Sequence, residues 1–181
     1  SLGFEPAGRI DQLDPGDPEL ILVRHPAGGT REPDGHGAGR IPVLVVTGPP
    51  GVGKTTVAFA ISDQLQEAGV PHAVIDLDAL GWAYPRPADD PFHTGLRLAN
   101  LGAVWRNHRA AGATGLVLAT VVEGDDDVAA IAGAIGAAEL TVVRLRADPG
   151  TLHDRLRGRE LGEGLAWHLE RADELGRAMD G

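Results

Sequence analysis

The chain contains no cysteine. That excludes disulfides, thiolate zinc sites and thiol nucleophiles, and it leaves the redox compartment open. Long apolar runs are missing too: none approaches the roughly 20 residues that a bilayer-spanning helix needs. The first ten residues lack a basic start followed by an apolar stretch, so no secretory signal is read and a cytoplasmic location is expected. Lysine is almost absent, with Lys54 alone beside fifteen arginines. Positive charge is in deficit overall, and the formal net charge is -10 at pH 7. Nucleic-acid binding draws on clustered Lys and Arg, so no nucleic-acid partner is expected, and no membrane partner either. What is present is ordinary for one globular domain with a sizeable core: 181 residues, 43% hydrophobic and 23% charged.

The first 40 residues hold five prolines and eight glycines. They read as a loop-rich extension, in which residues 20–24 alone suit a short edge strand. His25 and His36 are isolated there and read as solvated. From residue 41 the pattern changes. Residues 41–47, IPVLVVT, form a β-branched run suited to a strand buried on both faces. A helix is expected over 53–68, with Val57, Ile61, Leu65 and Ala68 at helical spacing, and strands over 72–77, 115–122 and 140–145. Loop is expected over 78–91. Further helices are expected over 96–111, from about 125 to 138, from 149 to 159 after the Asp148-Pro149 start signal, and over 165–179. Alternating strands and helices predict an α/β fold in three layers, a parallel sheet flanked by helices, with ligands at the carboxyl ends of the strands.

Residues 48–55 read GPPGVGKT and fit G-x-x-x-x-G-K-[ST] without mismatch, between a strand and a helix. Glycines permit backbone angles that let successive N–H groups turn inward as an anion nest, and the helix points its positive end at the same place. The cradle is therefore assigned to Gly48, Pro49, Pro50, Gly51, Val52, Gly53, Lys54, Thr55 and Thr56. Lys54 can reach the outer phosphates of a nucleoside triphosphate, and the Thr55 hydroxyl can ligate Mg²⁺. Thr56 reads as a helix residue more than as a second metal ligand. Asp76 and Asp78 end the second strand of this region, where one carboxylate can help order the metal and the other accept a proton from a substrate hydroxyl. The competing reading makes Asp78 the cap of the next turn and Asp76 a structural acid.

Together, the glycine loop, the D-x-D pair and a later arginine-bearing helix resemble the small P-loop kinases, among them the shikimate, gluconate, adenylylsulfate, chloramphenicol and nucleoside monophosphate kinases. The resemblance covers residues 41–178. Residues 74–85 (VIDLDALGWAYP) and 100–112 (NLGAVWRNHRAAG) look closer still to a group of actinobacterial proteins described only as ATPases or kinase-like. In such kinases the segment after the fourth strand is a mobile lid. Residues 152–159, LHDRLRGR, match an L-x-x-R-x-x-x-R pattern there, so the resemblance makes Arg155 and Arg159 candidates to cover the phosphates. A solvated, arginine-rich helix paired with Asp154, Glu160 and Glu163 is the alternative. The same resemblance puts Arg86, Arg97 and Asn100 in the acceptor region, beside Thr120 at a strand end. Trp82 and Tyr84 can stack on a flat substrate or pack, and Glu123 is a candidate second acid at the metal. His93, His108, His153 and His168 show no ligand spacing.

Two features depart from those kinases. They usually carry a fifth strand and a closing helix after the lid, so the expectation here is a truncated chain or a shorter sheet, unless residues 20–24 supply the missing strand. The third strand also lacks the acidic ending typical of motor-type ATPases. The reading is a small-molecule kinase that transfers the γ-phosphate of Mg·ATP to a metabolite hydroxyl, with Asp78 as base; the alternative is an ATP-dependent binding or regulatory module with little or no turnover.

Overall fold

The computed structural model describes residues 5–10, 19–24, 39–159 and 163–180. Six strands form one sheet: β1 (Glu5–Ile10), β2 (Glu19–Arg24), β3 (Ile41–Thr47), β4 (His72–Asp76), β5 (Gly115–Ala119) and β6 (Ala138–Arg146). Their spatial order is β1-β2-β6-β3-β5-β4. The last four are mutually parallel, as the buried β-branched runs predict. Helices α1 (Lys54–Glu67), α2 (Thr94–Ala110), α3 (Asp125–Ile135), α4 (Pro149–Arg159) and α5 (Glu163–Asp180) complete the chain. None of the helices among the described residues is long and apolar enough to cross a membrane.

Side-chain alternation along the strands splits the core into two layers. Val43, Val45, Ile75, Leu118 and Val142 face α2 and α3, where they meet Leu101, Trp105, Val128, Ile131 and Ile135. Val46, Val117 and Leu145 face the other way, onto Val57, Ala58, Ile61 and Leu65 of α1 and Leu152 of α4. The sheet is thus flanked by helices on both faces, the three-layer α/β architecture read from the sequence.

Several boundaries move. Residues 5–10 are a strand where loop was expected, because they pair antiparallel with β2. β2 in turn pairs antiparallel with β6 and fills the sheet position beyond it. β5 stops at Ala119: beyond it, the Val122 N–H donates to the Thr47 hydroxyl at 2.8 Å instead of extending the ladder. α3 ends at Ile135, where Gly136 turns to φ 88°, and β6 begins two residues earlier than expected. α2 begins at Thr94, because the Asp90 carboxylate accepts from the N–H groups of Thr94 (2.7 Å) and Gly95 (3.0 Å). Those two bonds come first among the causes that hold the Asp90 carboxyl below its usual range. His25, His36 and Glu160 lie outside the described residues.

The contact between α2 and α3 depends on Gly102. A Cβ there would lie 2.8 Å from the Ala134 carbonyl oxygen, and a backbone atom cannot swing aside. Gly102→Ala should therefore cost about 1–3 kcal/mol. Urea unfolding followed by circular dichroism checks this: a lower midpoint at unchanged slope is expected, and an unchanged midpoint would show that the helices separate without cost.

Candidate functional site

β3 ends at Thr47, and the chain turns from the carboxyl end of this interior strand into α1. Gly48 (φ 145°), Gly51 (φ 83°) and Gly53 (φ 94°) all have positive φ, which side-chain-bearing residues resist. The space is as restrictive as the angles. A Cβ on Gly48 would sit 2.7 Å from the Leu145 carbonyl oxygen, and one on Gly51 would sit 3.1 Å from Leu156 of α4. Val52 is fully buried and anchors the loop, Gly48 and Pro49 are buried, and Pro50, Gly51 and Gly53 are partly so. Gly53 caps α1, and its carbonyl accepts from the Val57 N–H at 2.9 Å. Thr56 is exposed on the first turn of α1.

Lys54 folds back into this turn. Its Nζ donates to the carbonyl oxygens of Gly48 (3.0 Å) and Pro49 (3.1 Å). The residue as a whole is only partly exposed, and its ammonium group is enclosed. Enclosure pushes the pKa from 10.5 down to about 8; the negative charges of Asp78 and Asp76 oppose that shift, and the positive charge of Arg159 adds to it. Both carboxylates and the arginine at the end of α4 thus lie near enough to act on the charge of Lys54.

The two carboxylates hold different positions. Asp76, at the tip of β4, accepts from the Thr55 hydroxyl at 2.8 Å through Oδ2 and from the Asp78 N–H at 3.0 Å through Oδ1. Asp78 opens a 3-10 turn (Asp78–Gly81), and its Oδ1 accepts from Arg97 Nη1 of α2 at 2.7 Å. Asp76, not Asp78, is therefore the acid that fastens the turn. Gly81 lies against the stem of Arg97: a Cβ there would meet Arg97 Cγ at 2.4 Å. Asn100 donates to the Leu80 carbonyl oxygen at 2.8 Å, so it too holds the turn.

Beside this group is a small cavity of about 50 Å³, whose lining includes Arg97, Thr94, Thr120 and Asp127 together with Leu77 and Ile131. Thr120 is buried. Arg97 and Thr120 thus meet at one cavity, whereas Arg86 stands exposed on the following loop and Asn100 is engaged with backbone. On α4, Arg155 is half-buried and Arg159 exposed. The helix leans on the glycine loop through Leu156, which explains how Arg159 comes to influence Lys54. Arg157 pairs with Asp154 at 3.0 Å.

Three residues make contacts here that the sequence reading did not assign. Arg171 of α5 forms ion pairs with Glu123 and, at 2.7 Å, with Glu174, so Glu123 is engaged by a helix instead of standing open. Asp127 accepts from the Glu123 N–H at 2.7 Å and caps α3. His93 is buried, and its two ring nitrogens lie 2.9 and 3.2 Å from the Gly81 and Pro85 carbonyl oxygens. Spacing gave no signal for the Arg171–Glu123 pair or for the His93 contacts, since those partners lie in another element or across a loop. Among the described residues no three His, Asp or Glu side chains gather as a metal cluster. His153 pairs with Asp173 at 2.8 Å, and His168 bonds to the Gly164 carbonyl at 2.7 Å.

No family model matches the chain. No curated protein matches it either. Among solved structures it is similar to the protein APE1195, at 19% identity and a TM-score of 0.48, over 78% of this chain and 76% of that one. It is similar also to a gluconokinase from Sinorhizobium meliloti 1021, at 22% identity and a TM-score of 0.44, over 77% of this chain and 90% of that one.

Proposed function

We propose that the chain is a small-molecule kinase that transfers the γ-phosphate of ATP to a hydroxyl of a small acceptor. One observation carries the reading: Lys54 folds into the glycine loop onto the Gly48 and Pro49 carbonyl oxygens, and Thr55 beside it bonds Asp76 at the tip of β4, next to the turn that Asp78 opens. In-line phosphoryl transfer needs positioning and charge stabilisation more than covalent chemistry, and these groups supply both.

The cradle fits a polyphosphate. Gly48 and Gly51 leave little room for a side chain, and among the described residues Lys54 donates to neutral carbonyl oxygens that an anion can displace. The donor set also fits Mg²⁺, a hard cation that takes oxygen ligands. Thr55 and Asp76 would hold it, and when bound it neutralises charge on the phosphates. Asp78 is the base: it removes the proton of the acceptor hydroxyl, and Arg97 holds its carboxylate in place. Arg159, with Arg155 on the same helix, stabilises charge on the transferring group. Gly48, Pro49, Pro50, Gly51, Val52, Gly53 and Thr56 frame the nucleotide. Arg97 and Thr120 line the acceptor cavity.

The test is ADP release from Mg·ATP, measured with and without a panel of hydroxyl-bearing metabolites. Release that depends on one acceptor is expected. Nucleotide binding with no acceptor-dependent release would replace this reading with that of a nucleotide-dependent binding or regulatory module.

A further inference from the structure

Aromatic residues are scarce: three Trp, one Tyr and three Phe in 181 residues. Trp105 does what a scarce aromatic normally does and is buried in the core at 1% exposure. Trp82 and Tyr84 do the opposite, at 91% and 95% exposed. Packing is therefore not their role, and burying such rings would ordinarily stabilise the fold.

The segment that carries them is fastened. His93 Nδ1 lies 2.9 Å from the Gly81 carbonyl oxygen, and Nε2 lies 3.2 Å from that of Pro85. One buried ring thus ties both ends of the stretch that holds the two aromatics. Carbonyl oxygens only accept, so a neutral ring satisfies one of these contacts and an imidazolium both. His93 is also the one non-glycine residue with positive φ among the described residues, at 51°. Such a conformation persists where its surroundings hold it.

Position links the segment to the site. It leaves the turn that Asp78 opens, and Gly81 touches Arg97, the partner of Asp78. One residue, Ala83, separates Trp82 from Tyr84, so their Cα atoms are at most about 7 Å apart and one planar molecule can touch both. Phe92, next to His93, is half-exposed and contacts the half-exposed Trp167 of α5 at a centroid distance of 6.2 Å.

We propose that residues 82–84 are a stacking platform for the phosphate acceptor, with His93 as its positioning residue. The acceptor class is then an aromatic or heteroaromatic alcohol, not an open-chain or saturated polyol. This rests on the phosphotransfer reading above, which supplies the Mg·ATP and the acceptor site. Stacking on an exposed aromatic is strong enough to set that preference.

The experiment uses the full chain with adenosine and 4-nitrobenzyl alcohol as ring-bearing probes and glycerol and sorbitol as ringless ones. Turnover is followed by ADP release and binding by saturation-transfer NMR, for the wild type, Trp82→Ala, Trp82→Phe, Tyr84→Ala and His93→Gln. At least one ring-bearing probe should be bound and phosphorylated. For it, Trp82→Ala and Tyr84→Ala should raise KM about 10-fold or more with little change in kcat, and Trp82→Phe should restore most of the affinity. His93→Gln should raise KM in the same way with little change in kcat, and thermal unfolding measured beside it reports any loss of fold separately. If polyols alone are phosphorylated, the platform is wrong and the kinase reading stands. If no probe is phosphorylated, binding decides: ring-bearing probes lost from the alanine variants support the platform, and equal or absent binding overturns it. A change in self-association without a change in small-molecule binding would make these rings a contact between copies, and would also overturn it.

Discussion

Lys54→Ala should weaken nucleotide binding about 10- to 100-fold and lower any acceptor-dependent turnover by at least about 10²-fold. A charge-assisted hydrogen bond to phosphate accounts for the first figure, and loss of a donor to developing charge for the second. No neighbouring lysine can substitute, because the chain has no other. The fold should survive, since the ammonium group is enclosed at a cost that its lowered pKa of about 8 records. The sign of the pH dependence follows. Between about pH 8 and 10.5 the unfolded chain holds this proton more firmly than the folded one, so the group adds stability as pH rises through that window. A bound polyanion favours the charged form and reverses the preference. Nucleotide binding should therefore take up protons near pH 8.5, and affinity should fall as pH rises. Calorimetry in two buffers of different ionisation enthalpy measures that uptake. Equal apparent enthalpies in both buffers for the wild type would show that Lys54 does not face the phosphates.

The central part of this molecule was legible because its signals are local. The β-branched run at 41–47 and the spacing of Val57, Ile61 and Leu65 each report on one element, and the structure places those elements where the periodicity does. The glycine loop was legible for the same reason: Gly48, Gly51 and Gly53 impose positive φ through their own backbones. What escaped depends on partners distant in sequence. β1 is a strand only because β2 pairs with it, and nothing in its own sequence, EPAGRI, alternates. β5 ends early because the Thr47 hydroxyl, 75 residues away, captures the Val122 N–H. Glu123 looked available for a metal because Arg171 stands 48 residues further on. Trp82 and Tyr84 were ambiguous for a related reason: a short aromatic segment reads alike whether a core receives it or not, and only the assembled surface shows that none does.

The Asp76/Asp78 pair illustrates how structure separates two residues that sequence treats alike, and it supports a second large effect. Asp76 is committed to the Thr55 hydroxyl and the Asp78 N–H, which makes it the fastening acid of the turn. Asp78 instead meets a side chain, Arg97, and remains about half-exposed. Asp78→Asn keeps the size and an oxygen that can still accept from Arg97, but an amide cannot take up a hydroxyl proton. With Asp78 as base, kcat should fall about 10²- to 10⁴-fold, and nucleotide affinity near pH 7 should change little. A second consequence is independent of catalysis. Among the charges acting on Lys54, Asp78 is the strongest influence holding its pKa up. Removing that charge should move the pH at which nucleotide affinity begins to fall to below its wild-type position. A turnover loss with the affinity profile displaced downward fits a base standing beside the cradle. A turnover loss with the profile unmoved would place Asp78 away from Lys54, and an unchanged kcat would remove it from the chemistry altogether.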